Sequence, residues 1–237
     1  EIAQKHFVDA LVCSSDREPL DRLQKLLLET GHTRTDLRLT PAAKQVFQFY
    51  GPTRDREELR YVLAHPELTV QDSEAFLKLP GYLQSMLRNE VLPFPIEAAP
   101  GGGYQLPLKF HLLPGTTVAS VRETLLPAWM LGGLPITIDE EPAPRDPSPT
   151  DHPVFQGIVE TLKRNYPDTP VGPYFLPWSA TDSRFFRAAG IPSYGFSPFL
   201  IMSTDTFQVD APNERMALPG YVEGVAIYRQ VLERLLL

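Results

Sequence analysis

The chain has 237 residues, with 22 Lys+Arg against 29 Asp+Glu, a formal charge of −7 and 43% hydrophobic residues. This composition supports a buried core and excludes a disordered or fibrous chain. An acidic balance without a Lys/Arg cluster leaves no footprint for nucleic acid, and no run of 18 apolar residues exists to cross a membrane, so a soluble protein is expected; the compartment is left open, with the cytoplasm favoured.

The predicted elements begin with a short apolar strand, His6 to Val12. Asp16 then precedes Leu20, Leu23, Leu26 and Leu27 at helical spacing, with Gly31 as a stop, which predicts an amphipathic helix. Pro41 opens a second helix ended by Gly51-Pro52, and residues 54–87 stay helical in pieces interrupted at Pro66 and Pro80. Strand character returns over Glu90 to Ala98 and again over Tyr104 to Leu113, on either side of Pro100-Gly101-Gly102-Gly103. A triple glycine can cradle phosphate, but this one lacks the helix and Lys that such a loop needs, so a hairpin turn is expected. A helix over Val118 to Leu126 and a strand over Leu134 to Asp139 complete the series. The order β-α, helical insertion, β-β-α-β predicts a split βαβ arrangement: a four-stranded antiparallel sheet with two helices on one face.

Residues 141–149 (EPAPRDPSP) are too polar and stiff for a core, which places a domain boundary there. Beyond it the pattern gives a helix from Pro153 to Tyr166, a proline-rich loop, and a helix from Asp182 to Ala189. A short strand over Ser193 to Phe196, a long loop and a closing helix from Tyr221 follow. This is the last third of an α/β sandwich, too small to be a complete doubly wound domain.

Two stretches are richer in polar residues than packing requires. In Thr181-Asp182-Ser183-Arg184-Phe185-Phe186-Arg187, Thr181 or Asp182 can cap the following helix. That leaves Arg184 in a first turn whose dipole disfavours a cation. Either an intramolecular ion pair or a bidentate clamp on a substrate carboxylate would satisfy it. In residues 205–215 (DTFQVDAPNER), Asp210, Asn213 and Glu214 can turn toward one point as oxygen ligands, or serve as ordinary turn and capping residues. The histidines at 6, 32, 65, 111 and 152 form no local metal motif. No G-x-S-x-G is present, and the single Cys13 precludes an internal disulfide or a cysteine-based zinc cage.

Together the Thr181 to Arg187 stretch, Gly190-Ile191-Pro192, Gly195-Phe196-Ser197-Pro198, Asn213-Glu214-Arg215 and the closing Tyr221 to Tyr228 segment resemble the M20 family of zinc metallopeptidases. The similarity is to its carboxypeptidase S and aminoacylase-1-like branch. Upstream, Phe110-His111-Leu112-Leu113-Pro114-Gly115 is similar to the family's F-R-L-L-P-G, Glu90-Val91-Leu92-Pro93 to its N-V-L-P, and Cys13-Ser14-Ser15 with Pro19 to its H-S-S-x-P. The resemblance is weak before residue 104 and strong after 180. It implies an α/β protein: a ferredoxin-like α+β lid, or dimerisation, domain over 1–143 with a helical insertion at about 41–87. Residues 144–237 would then be the C-terminal part of an α/β/α catalytic sandwich.

The implied activity is zinc-dependent hydrolysis of an amide next to a free carboxylate, in a peptide or N-acyl amino acid, by a homodimer. Arg184 would clamp the carboxylate, Cys13 and Glu90 would stand at the family's substrate-binding histidine and asparagine, and Asp210 at a histidine ligand to zinc. His111 replaces an arginine. The family's other zinc ligands and its general base precede the lid, and this chain has no such segment. Alone it is therefore expected to be inactive, and a degenerate homologue kept for dimerisation or carboxylate binding is the alternative reading.

Overall fold

The computed structural model describes residues 1–30, 37–139, 147–201, 205, 209 and 211–236. The chain divides into two units, residues 1–148 with 173–193, and residues 149–172 with 194–237. The boundary expected over 141–149 lies mostly outside the described residues.

The first unit begins with β1 (Ala3–Gln4) and β2 (His6–Ser14), followed by α1 (Arg17–Thr30). A run of short helices comes next: α2 (Pro41–Tyr50), α3 (Glu57–Ala64), α4 (Leu68–Gln71), α5 (Ser73–Lys78) and α6 (Gly81–Ser85). Then come β3 (Glu90–Pro93), β4 (Glu97–Ala98), β5 (Tyr104–Leu112), α7 (Val118–Leu125), α8 (Ala128–Leu131) and β6 (Ile136–Ile138). The antiparallel sheet runs β3-β5-β2-β6, the strand order of a ferredoxin-like fold, with β4 paired to the start of β5. The strand expected over Glu90 to Ala98 breaks into two at Pro93 and Pro95, where proline cannot donate to a ladder.

Side chains alternate across the sheet. Val8, Ala10 and Val12 of β2, Val91 of β3, and Leu106, Leu108, Phe110 and Leu112 of β5 form one core with Leu20, Leu23 and Leu27 of α1 and Val121 of α7. Each fully buried leucine here contributes about 1.5–3 kcal/mol. The short helices bury a second set, including Val46, Phe47, Leu63, Phe76, Leu83 and Met86. Thr40 starts α2 by accepting from the Ala43 N–H, with Pro41 in the first turn, and Thr117 and Ser120 make a capping box on α7.

A second, two-stranded sheet pairs β1 in parallel with β7 (Phe175–Leu176), Ala3 opposite Phe175 and Gln4 opposite Leu176. No local pattern announces β7, because its partner lies far upstream and parallel pairing leaves no hairpin signal. The strand expected over Ser193 to Phe196 does not form. The Ser193 N–H donates to Ser148 Oγ at 2.8 Å, and its carbonyl accepts from Ser148 Oγ at 2.7 Å and Arg187 Nη1 at 2.9 Å, so side chains satisfy what a ladder would have. Helix α10 (Ser183–Ala188) lies where the sequence placed it.

In the second unit, α9 (Pro153–Asn165) begins at His152, whose Nδ1 accepts from the Val154 N–H, and it packs on α11 (Leu218–Leu236). The closing helix starts three residues earlier than its apolar pattern suggests. Gly224 lets α11 approach Phe199: a β-carbon there would sit 2.3 Å from the ring. Tyr221 stacks on Phe199 and Tyr228 on Phe196, so aromatic rings from the long loop run along this helix. Arg234 pairs with Glu160 across the two helices.

Candidate functional site

The face of the four-stranded sheet opposite α1 and α7 carries the residues that core packing does not claim. By strand alternation these are Phe7, Asp9, Leu11 and Cys13 of β2, Gln105, Pro107, Lys109 and His111 of β5, and Glu90 and Leu92 of β3. Three positions singled out in the sequence, Cys13, Glu90 and His111, therefore share a face. Register separates them along it. Glu90 lies opposite His111 and Cys13 opposite Gln105, six residues along the same strand, about 20 Å away. Glu90 and His111 are brought together; Cys13 is not with them.

Glu90 is buried, and its carboxylate faces inward onto cations. Oε2 lies 2.6 Å from Lys5 Nζ and accepts from Ser85 Oγ at 2.8 Å, while Oε1 accepts from Arg88 Nε at 2.8 Å. Lys5 Nζ also donates to Ser85 Oγ at 2.9 Å. Burial pushes the Glu90 carboxyl up, but Lys5, Ser85 and Arg88 outweigh it and hold the group below the usual carboxylate range. For Lys5, fully buried, desolvation outweighs the attraction of Glu90 and pulls the ammonium down to about 8. Sequence reasoning missed Lys5. One lysine beside a strand carries no signal, and only the fold supplies its partners 80 and 85 residues away.

His111 stacks on Phe7 with ring centroids 4.2 Å apart, and its Nδ1 is buried without a hydrogen-bond partner among the described residues. Burial, reinforced by Lys5 and Lys109 and only partly offset by Glu90 and Asp9, lowers it from 6.5 to about 4. The folded chain thus keeps a neutral imidazole where the unfolded chain takes up a proton. Stability is therefore expected to fall as pH drops from 6.5 towards 4, by up to about 3 kcal/mol from this group. His111→Phe preserves the stack and removes the titration. Urea unfolding at pH 7 and pH 4.5 should show a smaller acid loss for the variant, and an equal loss in both proteins would clear His111 of this role.

Toward the open end of the face lies a concavity of about 460 Å³ lined by Asp9, Leu11, Phe94, Glu97, Pro107 and Lys109, among others. Lys109 Nζ is 3.2 Å from Asp9 and 5.9 Å from the Phe94 ring centroid. An apolar floor with one ammonium and several carboxylates suits binding.

The Arg184 segment is built on β1. The Gln4 side chain grips the Thr181 backbone twice, donating to its carbonyl at 2.9 Å and accepting from its N–H at 2.6 Å. Asp182 occupies the N-cap without a side-chain bond to the helix. Arg184 is half-buried in the first turn, its guanidinium 4.6 Å from the Phe185 ring centroid. The deeply buried cation of this helix is Arg187, which the sequence reading did not single out: Nη2 lies 2.6 Å from Glu1 Oε1 and Nη1 donates to Ser193. The i,i+3 spacing of the two arginines puts them a turn apart, and burial alone separates their roles.

Asp210 lies outside the described residues. Among the described residues no group of three or more His, Cys, Asp or Glu could hold a metal ion, so they do not by themselves fit zinc. No helix among them is long and apolar enough to cross a membrane.

No family model and no curated protein matches the sequence. Among solved structures, the fold is similar to the crystal structure of an M20 family metallo-carboxypeptidase, Sso-CP2, from Sulfolobus solfataricus. The TM-score is 0.50 at 16% identity, over 98% of this chain and 59% of that one. At that identity the likeness is one of fold, and this chain spans less than two thirds of the neighbour's length.

Proposed function

We propose that this chain forms the lid and the C-terminal catalytic segment of an M20-type metallohydrolase that cleaves an amide beside a free carboxylate, in a peptide or N-acyl amino acid. The observation that carries the reading is the fold likeness over 98% of the chain to an M20 metallo-carboxypeptidase. It coincides with the Thr181 to Arg187 stretch and the ferredoxin-like strand order. The exposed apolar residues of α11, among them Leu218, Val222, Val225 and Leu232, support it from another side. A helix apolar on this face as well as on the face toward α9 is suited to packing on a sheet. The occupant proposed is a segment equivalent to the part of the neighbour that has no counterpart here.

In this reading Arg184 holds the substrate carboxylate and Cys13 lies on the substrate side of the lid, whereas Glu90, its carboxylate engaged by Lys5, Ser85 and Arg88, braces that face from within. Zinc would be held by Asp210 together with ligands from that further segment, since the described residues do not complete a set. Residues 1–143 would mediate a homodimer. What the chain's own residues do is bind and orient: a guanidinium set by the Gln4–Thr181 clamp offers a planar fork to a carboxylate.

Calorimetric titration of the whole chain with an N-acetyl amino acid and with its C-terminal amide tests this. The acid should bind and the amide should not. Arg184→Lys should weaken the acid about tenfold or more while leaving the circular dichroism spectrum unchanged, because an ammonium cannot reproduce the bidentate geometry. Equal affinity of both proteins for the acid would remove Arg184 from the site.

A further inference from the structure

Lys5 is the single residue at which the chain passes from one sheet to the other. Gln4 is the last residue paired in the parallel β1–β7 sheet, and His6 is the first paired in the four-stranded sheet, opposite Leu112. The Lys5 N–H still belongs to the parallel side, donating to the Leu176 carbonyl at 3.1 Å. Its side chain belongs to the other, reaching Ser85 at the end of α6 and Glu90 at the start of β3. One residue of backbone thus joins two sheets, and its buried ammonium ties the joint to α6 and to β3. The neighbouring residue Gln4 holds the turn that leads into α10.

We propose that the Lys5–Glu90 pair is a charge-dependent pin on this joint, fixing the direction of the four-stranded sheet against the β1–β7 pair and the α10 turn attached to it. Its function is orientation rather than stability. For Lys5 desolvation outweighs the attraction of Glu90, whereas for Glu90 the attraction of Lys5, Ser85 and Arg88 outweighs burial, so the cost of holding the charged pair falls on the ammonium. In some proteins a buried ion pair of this kind selects one geometry rather than adding stability, and the position of Lys5 at the joint gives this pair a geometry to select. The charged and titratable groups facing Lys5 are Glu90 of β3, Arg88 of the preceding turn and His111 of β5. Glu90 keeps its charge and His111 stays neutral as pH rises above neutrality. Lys5 is then the member of this group that changes state, and its loss of charge releases the pin.

The test uses the whole chain with Cys13→Ser, and nitroxide labels on Thr137→Cys of β6 and Phe186→Cys of α10, both exposed. Pulsed electron paramagnetic resonance reads the distance distribution between them. At pH 7 it should be narrow, and at pH 9.5 about twofold broader or more, as a released joint samples more directions. Lys5→Met should be broad at both pH values, whereas Lys5→Arg, charged throughout, should stay narrow at both. An unchanged width in the otherwise wild-type chain between pH 7 and 9.5 would overturn the proposal. So would a narrow distribution in folded Lys5→Met. Should Lys5→Met fail to give a native circular dichroism spectrum, the wild-type pH comparison and Lys5→Arg decide.

Discussion

Glu90→Ala is expected to destabilise the first unit by about 3–5 kcal/mol, while Lys5→Met, at the other end of the same ion pair, should change stability by no more than about 1 kcal/mol. The asymmetry follows from what each change leaves behind. Removing the carboxylate leaves a fully buried ammonium with the Ser85 hydroxyl, beside the Arg88 guanidinium, and repulsion replaces attraction. Removing the ammonium leaves Glu90 still bonded to Arg88 and Ser85, and a thioether of similar length fills the space.

The pH dependence has a definite sign. Because the Glu90 carboxyl is held below its ordinary value, its contribution is complete above the unfolded value near 4.5 and is lost as pH falls through the folded one. The penalty of Glu90→Ala should accordingly be full at pH 7 and shrink in acid. Lys5 acts at the other end of the scale. Its folded value of about 8 lies below its ordinary 10.5, so the unfolded chain binds the extra proton between the two, and the burial cost is relieved as pH rises across that window. Chemical denaturation of both variants at pH 7 checks the ranking. Equal losses for Glu90→Ala and Lys5→Met would mean that Lys5 and Arg88 are not held near a common countercharge.

The sheet and its helices were legible because their information is local. The alternation of Val8, Ala10 and Val12, the spacing of Leu20, Leu23 and Leu27, and the glycines before Tyr104 each specify an element without reference to the rest of the chain. What escaped was non-local. Phe175–Leu176 forms a strand only because Ala3–Gln4 lies beside it, and Ser193 is diverted from a strand by Ser148 and Arg187. The candidate site divides along the same line. Arg184 stands in the helical turn that its sequence context implies. Glu90, expected to face a substrate, has both oxygens engaged by internal partners that no spacing rule connects to it. A carboxylate replacing the asparagine of a related motif reads as a defect in isolation; beside Lys5 and Arg88 it is a countercharge.

The same contrast between local and non-local demands gives the last expectation: Gly103→Ala should cost about 3 kcal/mol where Gly102→Ala costs only about 1 kcal/mol, although both glycines have left-handed backbones. Gly102 has φ of 95° with nothing within 4 Å of where an alanine methyl group would sit, so its substitution meets conformational strain alone. Gly103 has φ of 79°, and its β-carbon would sit 2.5 Å from the Ser14 carbonyl oxygen and 3.2 Å from the Ser15 Cα. The Ser14 carbonyl is a backbone group at the end of the β2–β5 ladder, where Ser14 lies opposite Tyr104, so it cannot turn aside as a side chain could. Relief requires parting the end of β2 from β5, the stretch that carries the half-buried thiol of Cys13. Reaction of Cys13 with an aromatic disulfide should therefore become about tenfold faster in Gly103→Ala, through local opening of the strand end, and change little in Gly102→Ala. Identical rates and identical unfolding midpoints in the two variants would show that the hairpin yields without disturbing β2.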